Sequence, residues 1–360
     1  MRELKIYPLR SSSSGNAALI SDGRHALAVD CGISGKLMDE CLGAAGFSPS
    51  EISAILVTHE HTDHIKGVGI FSRKYDIPVY LNRETYEAAR PTVGKLKPEN
   101  IHIIDSGAFE IDGIGVQPFS IPHDAANPVG YTFESGGDKA AVATDMGEIS
   151  EKVFCAIKGS RSVLLESNYD SNMLDMGRYP YELKRRIRSS CGHLCNEDAA
   201  SLAVRLVGCG TEEIILGHLS HENNYPALAY TVTKNALIDA GIKIGKKPFV
   251  LREGVGGGGR LGAGKEKADL PFSVGTLGVF ARVHLQGAGD ERGVFFGKLF
   301  SERTARREII PVGQFPSFPV VVLFDQVKKH QKVHHLALAA LATLDTFAHP
   351  FDQGGAFCLL

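Results

Sequence analysis

The stretch AILVTHEHTDHIKG, residues 54–67, places five residues able to ligate a metal among six consecutive positions: His59, Glu60, His61, Asp63 and His64. The apolar run AILVT reads as a strand, so the cluster follows a strand end. In an extended turn, residues two apart face the same way. His59 and His61 can then hold one metal, while Asp63 and His64 turn toward a second. Imidazole and carboxylate suit zinc, manganese or iron. Four ligands are too few for two metals, so other parts of the chain must supply the rest.

Three later residues meet that requirement by position. His123 ends the strand FSIPH, Asp145 ends AAVATD and His218 ends EIILGH. Loops leaving several strands can converge on one edge of a fold. A lone histidine after a strand is usually solvated, and a lone aspartate such as Asp145 or Asp30 (in LAVDCG) is usually a turn residue. Beside the 59–64 cluster, the three later residues become candidate ligands.

The chain has 360 residues and 43% of them are apolar, enough for a sizeable core in one large or two medium domains. No apolar run approaches a membrane span, and MRELKIYPLR enters a strand pattern with no signal peptide. Seven scattered cysteines without paired spacing read as reduced thiols in a cytoplasmic protein. The net charge of −2 divides into −5 over residues 1–253 and +3 over 254–360, so polyanion binding by the first part must be local or depend on cations.

Strands and helices alternate over residues 1–252. Hairpins turn at Asp112-Gly113 and at Ser135–Asp138. Helices are expected over 34–45, 65–75, 83–90, 149–158, 180–188, 196–207 and 226–240, with Asn196 as an N-cap. Hairpins mixed with crossover helices imply mixed sheets covered by helices, an α/β class. Residues 253–269 form a glycine-rich linker. The extension 270–360 carries no interpretable motif, and its lack of clear caps and turns favours weakly ordered sequence over a small appended domain.

THEHTDH, followed in order by His123, Asp145 and His218, resembles the metallo-β-lactamase superfamily of binuclear hydrolases. The resemblance implies a four-layer αβ/βα sandwich with two divalent ions at one edge. His59, His61 and His123 would hold the first ion, Asp63, His64 and His218 the second, and Asp145 would bridge them. Asp30 would orient ligands. Glu60 matches no ligand position and is expected to point away, toward a neighbouring cation. SSSSGNAALI, GISGK, SIPHDAANPVGYTFE, LESNYD, RYPYELKRRI, GHLCNEDAA and GHLSHENN narrow the resemblance to YycJ/WalJ/VicX-type proteins over residues 2–250. That subgroup implies a 5′→3′ exonuclease on double-stranded DNA. Cys195 departs from its usual Ser and Tyr169 from a frequent His; His221 falls at a variable position.

Two ions roughly 3.5–4 Å apart suit in-line displacement at phosphorus. Asp63 would ligate and orient the nucleophile, and His193, just before a helix start, is the candidate phosphate donor or general acid. Candidate substrate contacts are Ser13 and Asn16 in the serine-rich loop, Asn196 and Asn223; Glu166 and Asn168, at the end of another strand, would orient His193 or meet the substrate. Lys184, Arg185, Arg186 and Arg188 lie on a helix whose Leu183 and Ile187 face the core, a patch suited to tracking phosphates. The rival readings are a small-molecule hydrolase of the same fold, either a glyoxalase II-like thioesterase or a lactonase, and a non-catalytic regulatory protein. The basic helix opposes the first, and the complete ligand set opposes the second.

Overall fold

The computed structural model describes residues 3–244, together with strand segments 250–253, 282–285, 292–295, 307–311, 320–325 and 357–359. The first sheet runs in chain order: β1 (Lys5–Ser12), β2 (Gly15–Ser21), β3 (Ala26–Val29), β4 (Ile52–Leu56), β5 (Val79–Leu81) and β6 (Ile101–Ile103). Its first three strands are antiparallel and the rest parallel. Parallel neighbours need crossovers. These carry α1 (Gly35–Ala44), the short α2 (Thr62–Ile65), α3 (Val68–Tyr75) and α4 (Arg83–Val93).

The second sheet begins as a meander of β7 (Phe109–Ile111), β8 (Ile114–Ser120), β9 (Val129–Ser135) and β10 (Asp138–Ala143). It continues in parallel through β11 (Ser162–Glu166), β12 (Glu213–Gly217) and β13 (Val250–Glu253). α5 (Glu151–Ile157) connects β10 to β11. α6 (Ser171–Met176), α7 (Tyr181–Ile187) and α8 (Asn196–Val207) lie between β11 and β12, and α9 (Pro226–Asp239) precedes β13.

Alternation along the strands separates the layers. Leu27, Val29, Ala54 and Leu56 of the first sheet share a core with Val116, Tyr131, Phe133, Val142 and Leu164 of the second. Ala28 and Ile55 join Met38, Leu42, Phe71 and Ala89 of the first helical layer. Val163 and Leu165 join Leu202, Leu206 and Leu237 of the other. The result is the expected four layers, helix–sheet–sheet–helix.

Several local expectations are corrected. The helix expected over 65–75 is divided, because Gly67 passes against the Cys31–Ile33 turn: a Cβ there would lie 2.0 Å from the Ile33 oxygen. α6 was not expected; the Asp170 carboxylate caps it by accepting from Met173 N. The N-cap of α8 is Cys195, whose thiol accepts from Asp198 N at 3.4 Å, and Asn196 is the first helical residue. α7 buries none of its residues fully. Its Ile187 packs on a small separate cluster of Tyr169, Leu174 and Cys195 rather than on the main core.

The chain divides into two compact units, Met1–Val274 and Gly275–Leu360. In the second, β14 (Arg282–Leu285), β15 (Arg292–Phe295), β16 (Arg307–Pro311), β17 (Val320–Asp325) and β18 (Phe357–Leu359) form a sheet in the order β15-β14-β18-β17-β16. Glu253 closes β13; the rest of the linker expected over 253–269, and the remainder of the extension, lie outside the described residues.

Close backbone approach positions the ligand loop. Cys31 N donates to the His64 oxygen at 2.9 Å, Gly67 N to the Cys31 oxygen at 2.8 Å and Gly32 N to the Asn16 oxygen at 2.7 Å. A Cβ on Gly32 would lie 1.6 Å from the Asp63 oxygen. Gly32→Ala is therefore expected to destabilise the protein by about 1–3 kcal/mol in urea unfolding, through forced displacement of the 63–64 turn. Cys195→Ser supplies a stronger cap acceptor and is expected to stabilise by about 0.5–1 kcal/mol in the same measurement.

Candidate metal centre

All seven candidate ligands meet where strands of the two sheets end. His59, His61 and His123 bring ligand atoms within 4.8 Å of one another, and so do Asp63, His64 and His218. Asp145 lies between the groups. Its Oδ1 is 3.6 Å from His123 Nε2 and 3.4 Å from His218 Nε2, and its Oδ2 is 3.3 Å from His64 Nε2.

Backbone conformation aims these side chains. Asp30, Asp145 and His218 each follow a strand, and each adopts a left-handed conformation, with φ of 59°, 61° and 53°. That region is uncommon for residues other than glycine and clusters at functional sites. Asp30 then accepts three hydrogen bonds at 2.8 Å, from Thr58 N, Thr58 Oγ1 and His64 Nδ1. His218 N donates to Ser11 Oγ at 2.7 Å, tying this strand end to the first sheet.

The hydrogen bonds also set the tautomers. A carboxylate or carbonyl oxygen only accepts, so the ring nitrogen it meets carries the proton. His64 Nδ1 donates to Asp30, His123 Nδ1 to the Gly192 oxygen at 3.1 Å, and His218 Nδ1 to Glu166 Oε1 at 2.9 Å. Each Nε2 is left as a potential ligand. His59 Nε2, His218 Nε2 and Asp145 Oδ2 are buried without a hydrogen-bond partner in the protein. Buried polar atoms are normally paired, and these orphaned ones fit divalent metal ions.

Burial, reinforced by the histidines at 64, 123, 61 and 218, pushes the protonation of His59 well below its ordinary value. Burial also opposes charge on His64, but Asp145, Asp30 and Asp63 outweigh it and raise the imidazole to about 9. Asp63 resists ionisation by burial, yet its contacts with His218 and His64 hold the carboxyl well below its usual range. The carboxylates likewise raise His218 well above its ordinary value, so they favour the protonated rings of His64 and His218; a divalent cation would take the place of those protons, leaving neutral imidazole beside negative charge as its donor set.

The remaining candidates fall in different places. His193 lies beside the cluster, its Nδ1 donating to Glu166 Oε1 at 2.9 Å. Glu166 is fully buried, and its Oε2 accepts from Met146 N and Leu194 N, so it orients His193 and His218 and has no surface for a substrate. Asn168 is likewise buried, donating to the His218 oxygen at 2.8 Å. Asn196 bonds Ser167 and Asn224 in the interior, and Asn223 is buried beside them; the expectation that either meets substrate is corrected by that burial. Ser13 is exposed at the β1–β2 turn. Asn16 is buried, donating from Nδ2 to Asp63 Oδ2 at 3.1 Å, so it serves the ligand rather than a loop around phosphate. Among the described residues Glu60 meets no cation; its Oε1 accepts from Ala126 N at 2.8 Å and steadies the His123 loop.

On α7, Arg186 makes a two-pronged ion pair with Asp124, next to His123. Lys184 donates to the Asp175 oxygen at 2.7 Å, Arg188 pairs with the Asp175 carboxylate, and Arg185 reaches Glu182 only at 3.8 Å. Tyr181, Lys184, Arg185 and Arg188 line, with Asp175, an open hollow of about 380 Å³. Arg186, not Lys184 or Arg185, is the cation that reaches the centre's rim. The spacing of YELKRRI could not reveal this, because it depends on where the 124 loop passes.

Two helix-backed sheets carrying histidines and aspartates on the loops at one edge are the architecture of the metallo-β-lactamase fold. The profile of the metallo-beta-lactamase superfamily matches residues 12–186. Exodeoxyribonuclease YycJ of Bacillus anthracis is 41% identical over 244 residues, which cover 68% of this chain and 92% of that protein. Exodeoxyribonuclease WalJ of Streptococcus pneumoniae is 38% identical over 244 residues, 67% and 91% of the two chains. The crystal structure of the metallo-beta-lactamase fold protein YhfI from Bacillus subtilis agrees in fold, with a TM-score of 0.52 at 14% identity over 69% of this chain and 96% of that one. The chain belongs to the YycJ/WalJ-type group of the metallo-β-lactamase superfamily.

Asp30→Ala removes the acceptor that holds His64 without touching a candidate ligand. It is expected to weaken divalent-metal affinity about 10–100-fold in competition with a chromogenic chelator. Unchanged affinity would remove the orienting role.

Proposed function

We propose that this protein is a binuclear metal-dependent DNA exonuclease that degrades double-stranded DNA in the 5′→3′ direction. The observation carrying this reading is the convergence of seven ligand-type side chains at one edge, with the Arg186–Asp124 pair at its rim. The exodeoxyribonuclease names of relatives at 38–41% identity support the substrate class. Among the described residues, no helix is long and apolar enough to cross a membrane.

His59, His61 and His123 would hold one ion, Asp63, His64 and His218 the other, and Asp145 would contact both. Zinc, manganese and iron all suit such donors. Bound divalent ions supply Lewis acidity at the phosphoryl group and ionise water near neutral pH. Asp63, steadied by Asn16, would ligate an ion and orient the attacking water through its carboxylate. His193 keeps one proton on Nδ1 toward Glu166, which leaves Nε2 to deliver a proton to the leaving 3′ oxygen. Arg186 is placed to meet a phosphate at the rim, exchanging Asp124 for the substrate.

The test is degradation of end-labelled duplexes with a panel of divalent ions. The unaltered protein is expected to release nucleotides from the 5′ end, and His61→Ala and Asp63→Ala to lose about 10²-fold or more in kcat. Full activity in both variants would remove the mechanism. Thioester or lactone hydrolysis without attack on DNA would favour the small-molecule reading.

A further inference from the structure

A group of hydrogen-bond donors outside the ligand set lies along the β1–β2 turn. Ser14 Oγ meets His221 Nε2 at 3.1 Å and Ser12 Oγ at 3.0 Å, and Lys66 Nζ donates to the Ser14 oxygen at 3.2 Å. These residues come from three distant segments, and each segment is anchored at the metal centre. The Ser12–Asn16 turn is closed by Ser12 N donating to Asn16 Oδ1, and the Asn16 amide reaches Asp63 and His64. Lys66 is the C-cap of α2, two residues past His64. His221 follows His218 by three residues, and Leu219 forms a parallel bridge with Ser12. Nothing in the core accounts for the meeting of Ser14, Lys66 and His221, since all three are exposed.

We propose that Ser14, Lys66 and His221 form a phosphate subsite beside the metal centre. The inference rests on the nuclease reading and deepens it. An ammonium, an imidazole and hydroxyls together suit the oxygens of a phosphate group. The charge balance favours Lys66 over the cations of α7. Arg186 and Arg188 are already paired with Asp124 and Asp175, whereas among the described residues Lys66 has no carboxylate within ion-pair distance. The phosphate is either the terminal monoester of the strand or the diester next to the scissile one.

The subsite is tested with the full chain and its Ser14→Ala, Lys66→Ala and His221→Ala variants on duplexes bearing a 5′-phosphate or a 5′-hydroxyl. Binding of fluorescent, cleavage-resistant phosphorothioate duplexes to the metal-loaded protein is measured by anisotropy, and hydrolysis of bis(4-nitrophenyl) phosphate reports on the metal centre alone. Lys66→Ala and His221→Ala are expected to raise KM for duplex DNA about fivefold or more, with kcat within about twofold. Lys66→Ala is also expected to reduce the salt slope of binding by about 1. Hydrolysis of the small diester stays unchanged. A defect confined to 5′-phosphorylated duplexes assigns the terminal monoester, and an equal defect on both duplexes assigns the neighbouring diester. Unaltered KM and affinity in the variants would overturn the subsite alone, as would an equal loss on the small diester. Duplexes left intact by the unaltered protein would overturn the nuclease reading and the subsite with it.

Discussion

A carboxylate accepts hydrogen bonds and never donates them, and that asymmetry organises the centre of this protein. Asp30 fixes the proton of His64 on Nδ1, and Glu166 does the same for His218 and His193. The other nitrogen of each ring is thereby left for the work of the site. Neither carboxylate is free to move. Asp30 is held by two donors of Thr58, and Glu166 by Met146 N and Leu194 N. The acceptors are thus built into the backbone of the two sheets, and the imidazoles take their orientation from the fold.

The fold bears a cost for this arrangement. Left-handed conformations at Asp30, Asp145 and His218 are each unfavourable by about 1–3 kcal/mol. They persist because neighbouring contacts determine them. Asp30 N donates to the Leu56 oxygen at 2.8 Å, and His218 N to Ser11 Oγ. Each abrupt turn at a strand end re-aims one side chain toward the shared edge. A regular continuation of the strand would direct it toward one of the hydrophobic layers instead.

Much of this was legible in the sequence, for identifiable reasons. β8 follows from a period-two pattern, and β11 and β12 from short continuous apolar runs. The ligand types were legible because HEHTDH is too dense in imidazole and carboxylate to be ordinary loop sequence. What escaped was contact between remote segments. Asn16 reads as a turn residue, and only the crossing of the β1–β2 turn over the 63–64 turn places it on Asp63. Glu166 reads as a strand end able to orient His193, and what escaped is its burial, which makes it the support of His218 as well. Cys195 supplants Asn196 as the cap because the helix begins one residue earlier than its polar signal implies.

The acidic balance of residues 1–253 sits awkwardly with a polyanionic substrate until its location is considered. Asp30, Asp145 and Glu166 are buried, and Asp63 is mostly buried, all within the candidate metal centre. Their charge faces inward, toward the positions that cations would take. Two divalent ions would offset most of the formal −5 of this part of the chain at the place where a phosphate must approach. Such ions would therefore have an electrostatic task before any chemistry, which is to make the edge approachable for a nucleic acid. Arg186, held by Asp124 beside His123, extends that field to the rim, where its guanidinium can pass from carboxylate to phosphate with little change in position.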